Sequence, residues 1–390
     1  MYGWGSSTVH IEYEQMSLTA ENQGVAHEIE PDDQQTLLDL AESYLQEAVA
    51  PLASEIDCNP DALRDALKGM GDRSLLALRV PKCWGGTEVS DPTYRRFQQL
   101  VPRYSGALAF LQTQHQSAAE FITNSENDSL KRQYLPHMGK GQVLVGVGYS
   151  HLRRKGDSPV KAISVEGGYL LEGEVPWVTG FGFFQKFIVG AALPDGRAVY
   201  SIVPFIETLQ DAGGAIAFSE PMQLAAMTST NTVTATLTDW FLSEECVVVI
   251  KPGGAIHEND KKNVLYQGFA NLGCARAGLD ILETAAKTKQ LPFLNNAFES
   301  LNQEVNGCHD AMMQALQPNS PSWEERLRLR AWAINLALRC ASAAVTVSSG
   351  TANYRHHAAQ RVYREALVFT VSGQTTSVME ASLAQLLRSS

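Results

Sequence analysis

The sequence lacks cysteines at the close spacings that are typical of disulfide-rich domains and structural metal sites. Only six cysteines occur among 390 residues, and none forms a CxxC pair. Cys308 stands directly before His309, but adjacent residues have poor geometry for chelating one metal ion. We therefore expect ordinary reduced thiols, as in a cytosolic protein, and no metal site.

Positive charge and long apolar runs are also scarce. The formal net charge of −11 disfavours nucleic acid as a partner, although a local basic patch remains compatible with an anionic ligand. Residues 1–30 contain no apolar core of a signal peptide. No apolar run approaches the ~20 residues that a membrane span needs. Together with 44% hydrophobic and 19% charged residues, this predicts a globular cytoplasmic protein without a membrane span.

The residue pattern divides the chain into four segments. Residues 1–30 are polar and acidic without periodicity, which is typical of a loose tail. Helical spacing then predicts an N-terminal helical domain over 31–142, with helices near 33–50, 61–70, 92–101, 108–125 and 128–137. Alternating and apolar runs separated by turn residues predict a β domain over 143–251, with strands at 143–147, 169–178, 186–192, 198–205 and 232–238.

Residues 252–390 return to helical spacing. The pattern predicts helices over 263–289, 295–316, 322–347, 358–368 and 376–387, which together favour an antiparallel bundle. Ser322 followed by Glu325 forms a capping box at one helix start. The helix over 263–289 is rich in glycine and alanine, and such small residues let neighbouring helices approach closely.

Four local motifs, in order along the chain, resemble the acyl-CoA dehydrogenase superfamily. They are Leu75 to Gly86, the strand Trp177-Val178-Thr179-Gly180, the segment over 227–248, and the stretch Tyr363 to Thr376. Together they extend over residues 35–390. The resemblance implies an α+β fold with an N-terminal helical domain, a central β-barrel or sandwich, and a C-terminal antiparallel helical bundle.

The resemblance also implies FAD as a cofactor, shared between the subunits of a homodimer or homotetramer. It places the flavin ring near Trp177, Val178 and Thr179, because a flavin needs a flat apolar wall and hydrogen-bond donors. By itself, Trp177 would more readily be strand core. The further cofactor positions that the resemblance implies are Gly148, Tyr149, Ser150, Lys289, Thr346, Gly350, Thr375 and Ser377.

The chain departs from this family at the residue that carries the family's usual reaction. In the common pattern, the position of Gly373, or of Ser372 in a register shifted by one, is a glutamate that removes the α-proton of an acyl thioester. No carboxylate occurs between Glu365 and Glu380. Some relatives place the base on the long helix instead, but the matching position is Asn263, followed by Val264. Neither placement is filled.

Two further features leave alternatives open. Arg153-Arg154-Lys155 replaces a proline and acidic loop of the family, and it is either a solvated loop or a patch for an anionic group. His115 lies on a helix where two-component flavin monooxygenases tend to carry a histidine near the flavin. It is therefore a candidate catalytic residue, although a lone helical histidine is more often a capped or core residue.

Three functions remain compatible with these observations. The first is a flavin-dependent oxidoreductase acting on an acyl thioester or a similar small molecule. The second is a two-component monooxygenase that takes reduced FMN or FAD from a separate flavin reductase and uses O2. The third is a non-catalytic flavin-binding or structural relative. The sequence gives neither the substrate nor the catalytic base.

Overall fold

The computed structural model describes residues 31–154, 156–317 and 321–388. The expected polar tail over 1–30 and Lys155 of the basic run lie outside these residues. The N-terminal part is helical, with a π-helical turn over Leu45–Val49 after the first helix. Its helices are α1 (Pro31–Tyr44), α2 (Ala53–Ile56), α3 (Pro60–Asp72), α4 (Asp91–Tyr104), α5 (Gly106–Thr123) and α6 (Asp128–Met138).

Short polar side chains set where three of these helices begin. Asn59, Ser105 and Asn127 each precede a helix, and their side-chain oxygens accept hydrogen bonds from backbone N–H groups of the first turn. These N–H groups have no partner within the helix, so a capping oxygen stabilises the start.

The central part is one sheet of nine described strands. Hydrogen bonds join eight of them in the order β6-β7-β8-β3-β2-β4-β5-β9, and β1 pairs with β4 in parallel. This continuous sheet is the form that the expected β domain takes. The strands are β1 (Val145–Gly148), β2 (Val160–Val165), β3 (Gly168–Val178), β4 (Lys186–Ala192), β5 (Ala198–Pro204), β6 (Thr208–Leu209), β7 (Ala215–Phe218), β8 (Val233–Ser243) and β9 (Val247–Lys251).

The C-terminal part is helical again. Its helices are α7 (Ala255–Lys262), α8 (Tyr266–Lys289), α9 (Pro292–Gln314), α10 (Trp323–Ser348), α11 (Ala358–Val371) and α12 (Thr376–Arg388). The expected α+β architecture of helices, sheet and helical bundle is therefore confirmed. The helix expected over 263–289 is α8, which begins at Tyr266. The short helix α7 precedes it as a separate element. The predicted capping box is present, since the Ser322 hydroxyl accepts from the Glu325 N–H.

The glycines of α8 bring backbones into direct contact. A methyl group added at Gly273 would lie 2.2 Å from the carbonyl oxygen of Gln99 in α4. A methyl group at Gly278 would lie 2.6 Å from the carbonyl oxygen of Cys340 in α10. Neither position has room for a side chain, so the small residues of α8 serve close helix packing as the sequence predicted.

Helix α10 is the central helix of this bundle. Within the described residues, Trp323–Asn353 is the single helical stretch that is long and apolar enough to cross a membrane by length and composition. The sequence expectation of no such stretch therefore did not hold by this criterion. However, 56% of its most apolar window is buried inside the protein, and the core helix of a soluble bundle meets the same criterion.

Candidate functional site

A cavity of about 560 Å³ lies where the N-terminal helices, the sheet and the C-terminal bundle meet. We call it the main cavity. Such a volume is typical of small-molecule sites, which span about 300–1,000 Å³. Its walls come from α4, α5, β1, the ends of β3 and α11, the start of α8 and a loop over 224–232.

An aromatic side chain and a row of hydroxyl groups form one wall of the main cavity. Trp177 ends β3 and remains 49% exposed, so it is not strand core. The hydroxyl of Thr179 lies 3.0 Å from that of Thr232, which in turn lies 3.4 Å from that of Thr230. All four residues line the cavity. A flat apolar face beside hydrogen-bonding hydroxyls suits a flavin ring.

The remaining residues expected near the ring divide into two groups. Tyr149 and Ser150 line the main cavity. Val178 is fully buried, and Gly148 packs so closely on Phe187 and Val178 that a methyl group there would lie 3.0–3.1 Å from their atoms. Val178 and Gly148 therefore support the wall from behind and do not line it.

The main cavity contains no group that is an obvious base. Among the described residues, no Asp, Glu, His or Lys lines it; the titratable side chains are Tyr149, Arg153 and Tyr266. Burial raises the pKa of Tyr149 far above its ordinary value, so this phenol remains protonated at neutral pH and does not supply a base.

The turn between α11 and α12 carries the position of the absent glutamate. Gly373 has φ +64°, a left-handed conformation that side chains rarely adopt, and a methyl group there would lie 2.9 Å from Cγ of Gln267. Ser372 has φ −69° and ψ 125°, which any residue adopts. Both line the main cavity. The buried Arg330 holds this turn by donating to the Ser372 carbonyl oxygen at 2.8 Å.

A second cavity of about 290 Å³ adjoins the main cavity. Asn263 and Val264, at the alternative position of a base, line this second cavity. The Asn263 amide donates to the side chain of Asn259 at 2.9 Å, so it supports a helix end. Arg153 of the basic run lines both cavities and forms a two-point ion pair with Asp260 at 2.8 and 2.9 Å.

His115 lies in the interior and does not line either cavity. Its Nδ1 accepts from the Val145 N–H at 3.0 Å, and its Nε2 lies 3.1 Å from the Met138 carbonyl oxygen. Burial lowers its pKa to about 4, so the ring is neutral at physiological pH. This geometry joins α5 to the end of α6 and to β1. It corrects the expectation of a histidine that faces the flavin.

Other side chains of α5 reach the main cavity instead. Phe110, Thr113, Gln114 and Ser117 line it and recur at spacings of three and four, so they share one helix face. His115 points elsewhere. The polar members of this face were missed in the sequence, where their helical spacing was the available signal.

The expected contacts to the dinucleotide lie outside the main cavity. The Lys289 ammonium donates to the Val347 carbonyl oxygen at 2.6 Å, which brings Lys289 beside the helix end that carries Thr346 and Gly350. None of these three lines either cavity. Thr375 lines the second cavity, and its hydroxyl caps α12 by accepting from the Val378 N–H. Ser377 follows in the first turn of α12.

The loop over 224–227, of which the sequence motif included only Met227, is held by distant charged groups. Its Met227 N–H donates to the Asp57 carboxylate at 2.6 Å. Arg364 of α11 donates to the same carboxylate at 2.7 Å and to the Ala225 carbonyl oxygen at 2.8 Å. This buried network fixes one wall of the main cavity.

Among the described residues, no group of three or more His, Cys, Asp or Glu side chains is placed to hold a metal ion. All six cysteines are free. Cys274, Cys308 and Cys340 are buried, as core thiols would be, whereas Cys58 and Cys83 are exposed.

Comparisons with known proteins agree with this architecture. Residues 31–142 match the family model described as acyl-CoA dehydrogenase, N-terminal domain. A probable acyl-CoA dehydrogenase of Bacillus subtilis is 20% identical, and the match covers 91% of this chain and 98% of that protein. A 3-(aryl)acrylate reductase of Clostridium sporogenes is also 20% identical, over 89% and 96%.

A solved glutaryl-coenzyme A dehydrogenase in complex with glutaryl-CoA has the same fold. It superposes with a TM-score of 0.76 at 16% identity, and covers 95% of this chain and 97% of its own. The family match, the full-length relatives and the common fold agree with the four motifs and with the cavity between helices and sheet. On this combined evidence residues 31–142 match the acyl-CoA dehydrogenase N-terminal domain, and the whole chain is similar to acyl-CoA dehydrogenases in sequence and in fold.

Proposed function

We propose that this protein is a flavin-dependent oxidoreductase of small molecules that binds FAD in the main cavity. The carrying observation is the wall formed by half-exposed Trp177 and the hydroxyls of Thr179, Thr230 and Thr232. Relatives named as dehydrogenases and as a reductase support an oxidoreductase.

The residues present fit such a cofactor. Trp177 offers an apolar face to the ring, and Thr179 and Ser150 offer hydroxyl groups. Thr375 and Ser377, at the start of α12, offer hydroxyls to the phosphate part, where a helix start favours negative charge. When bound, FAD supplies the electron transfer that these side chains lack.

The remaining cofactor residues favour a contribution from a second copy of this chain. Lys289, Thr346 and Gly350 lie together but away from the main cavity. We propose that they contact the dinucleotide bound in a neighbouring subunit of a homodimer or homotetramer. Half-exposed apolar residues on α11 and α12 that do not line the main cavity offer a surface for such assembly: Tyr363, Met379, Leu383 and Leu386.

The absence of a base limits the reaction. Removing an acyl thioester α-proton requires a positioned acceptor, and no carboxylate, histidine or lysine of the described residues lines the main cavity. We therefore propose an oxidoreductase reaction that does not depend on a carboxylate base, rather than the family's usual desaturation of an acyl thioester.

The same observation favours a two-component monooxygenase as the second candidate. In such an enzyme a separate flavin reductase delivers reduced FMN or FAD, and a site without carboxylate, histidine or lysine side chains offers few groups that would transfer protons to or from the reacting atoms. His115 has no part in this proposal, because both its ring nitrogens face backbone groups.

Flavin binding in both redox states separates the candidates. The purified protein is titrated with FAD and, under anaerobic conditions, with reduced FAD and reduced FMN, while visible absorbance is recorded. Tight binding of oxidised FAD is the expected result, and Trp177→Ala should weaken it about tenfold. Selective binding of reduced flavin favours the monooxygenase. Bleaching of bound FAD by butyryl-CoA would contradict the absence of a base, and no flavin binding would overturn the proposal.

A further inference from the structure

Lys251 lies in the second cavity at the end of β9. This polar cavity shares Ser117, Tyr149, Arg153, Tyr266, Gln267 and Gly373 with the main cavity. One ligand can therefore extend from Lys251 toward the wall that contains Trp177.

The other charged groups of the second cavity have partners. Asp260 is paired with Arg153 at 2.8 Å, and Glu120 lies 3.3 Å from Arg79. These pairs do not cancel the carboxylate charges fully, because Glu120 still acts on Lys251 and raises its pKa against the effect of burial. Among the residues that the structure describes, no carboxylate lies within ion-pair distance of the Lys251 ammonium, and no group accepts a hydrogen bond from it.

Aromatic rings surround the Lys251 side chain on one side. Its Nζ lies 4.1 Å from the ring centre of Phe121 and 5.5 Å from that of Tyr200. Ring faces attract the positive charge, but they do not accept hydrogen bonds from its three N–H groups as oxygen atoms would. Burial also lowers the pKa of Lys251. An anion placed in the second cavity would supply the partner that this ammonium lacks.

We propose that Lys251 binds the carboxylate end of a small substrate whose other end lies in the main cavity. This proposal rests on the proposed function in one respect, because it takes the main cavity as the place where flavin and substrate react. The substrate class is thus a free amphipathic carboxylic acid.

The surrounding charges favour a carboxylate over a phosphate group. Lys251 contributes one unpaired positive charge, which matches a monoanion. Glu120 and Asp260 also line the second cavity, and their carboxylates would repel a dianionic phosphate more strongly. The amides of Asn124 and Asn263 line the same space and are suited to hydrogen bonding with a carboxylate.

Calorimetric titration of the FAD-loaded protein with four probes tests this proposal. The probes are hexanoate, its uncharged analogue hexanamide, hexyl phosphate and hexanoyl-CoA. We expect hexanoate to bind at least about tenfold more tightly than hexanamide, because a hydrogen bond to a charged group is stronger than one between neutral groups. Lys251→Met should weaken hexanoate about tenfold and leave hexanamide unchanged, whereas Lys251→Arg should retain hexanoate binding.

Lys261→Met is the matched control, since Lys261 is an exposed helix lysine paired with Glu258 outside the cavities. It should bind hexanoate as the unsubstituted protein does. Equal hexanoate affinity in Lys251→Met, or equal affinity for hexanoate and hexanamide, would overturn the proposal. Tighter Lys251-dependent binding of hexyl phosphate or hexanoyl-CoA would overturn the carboxylate assignment. If FAD fails to bind, the proposed function fails, while the same titrations of the flavin-free protein still decide the role of Lys251.

Discussion

Two neighbouring residues, Ser372 and Gly373, differ in what their backbone permits. Gly373 has a positive φ of +64°, and Gln267 occupies the space beyond its α-carbon. Ser372 is extended at φ −69° and lines the same cavity. We therefore predict that a glutamate is accommodated more readily at position 372, the shifted register that the sequence left open, than at position 373.

Introducing a glutamate at each position tests this distinction. Gly373→Glu should lower the free energy of unfolding by at least about 1–2 kcal/mol, because a side chain in the left-handed region is strained and meets Gln267. Ser372→Glu should cost less and should make the absorbance of bound FAD depend on pH as the new carboxylate titrates. Denaturant unfolding and absorbance measure both effects. The opposite ranking of the two variants would refute the register.

The buried His115 affects the pH dependence of stability and does not line the main cavity. Its pKa is lowered from 6.5 to about 4 in the folded protein, so the unfolded chain binds the proton more readily between these values. The stability that His115 contributes is fully present above pH 6.5 and is lost as pH falls toward 4. From pH 7 to pH 5, the loss should be about 2 kcal/mol.

His115→Gln should remove this share of the acid sensitivity and leave FAD affinity unchanged. Unfolding free energies at pH 7 and pH 5 provide the measurement, and His137→Gln, at an exposed position on α6, provides the control. His151, whose pKa is likewise lowered to about 4 by burial, keeps part of the slope in both variants. A large fall in FAD affinity in His115→Gln would contradict this structural role and would indicate that His115 contributes to the functional site.

At the scale of elements, the sequence predicted most helices and strands, because periodicity and capping residues are local. It missed β2, β6, β7 and β9. In β2, Ile163 is 61% exposed and breaks the alternation of apolar and polar residues. It also missed the short helix α7, since the predicted helix began only at residue 263. The face that each element turns to the cavity depends on packing, so Trp177 was placed by family resemblance and the polar face of α5 was not found.

The close contact of α8 with α4 gives a prediction at this scale. Gly273→Ala should destabilise the protein by about 1–3 kcal/mol, because the added methyl group meets the Gln99 carbonyl oxygen and overpacking forces backbone shifts. Gly307→Ala, in α9, is the matched control: its nearest neighbour would be 3.9 Å away, and alanine favours helix by about 1 kcal/mol. Thermal unfolding distinguishes the two, and equal behaviour would contradict the packing.

At the scale of the whole molecule, the apolar surface of α11 and α12 and the separate Lys289 cluster both favour an assembly of several copies. Lys289, Thr346 and Gly350 line neither the main cavity nor the second cavity. Their proposed contact with a dinucleotide therefore calls for a neighbouring copy.

Leu383→Asp should convert the oligomer to a monomer, since it places a charge in the apolar surface of α12. The same change should weaken FAD binding about tenfold, because the contacts from the neighbouring copy are lost. Light scattering and FAD titration measure these effects. Thr236→Asp, at an exposed position of β8, should change neither. A Leu383→Asp oligomer of unchanged size would contradict the proposed surface.

The Asp57 network has a consequence for how the protein is made. Asp57 bonds to Met227, 170 residues later, and to Arg364, 307 residues later. Ribosomes release the chain from its N-terminus, so the Asp57 carboxylate has no contact with Arg364 until α11 has emerged. The loop over 224–227 can reach its final position only then. The binding cavity is therefore among the last parts of the molecule to form during synthesis, and nascent chains that stop before α11 should fold their sheet yet bind no flavin.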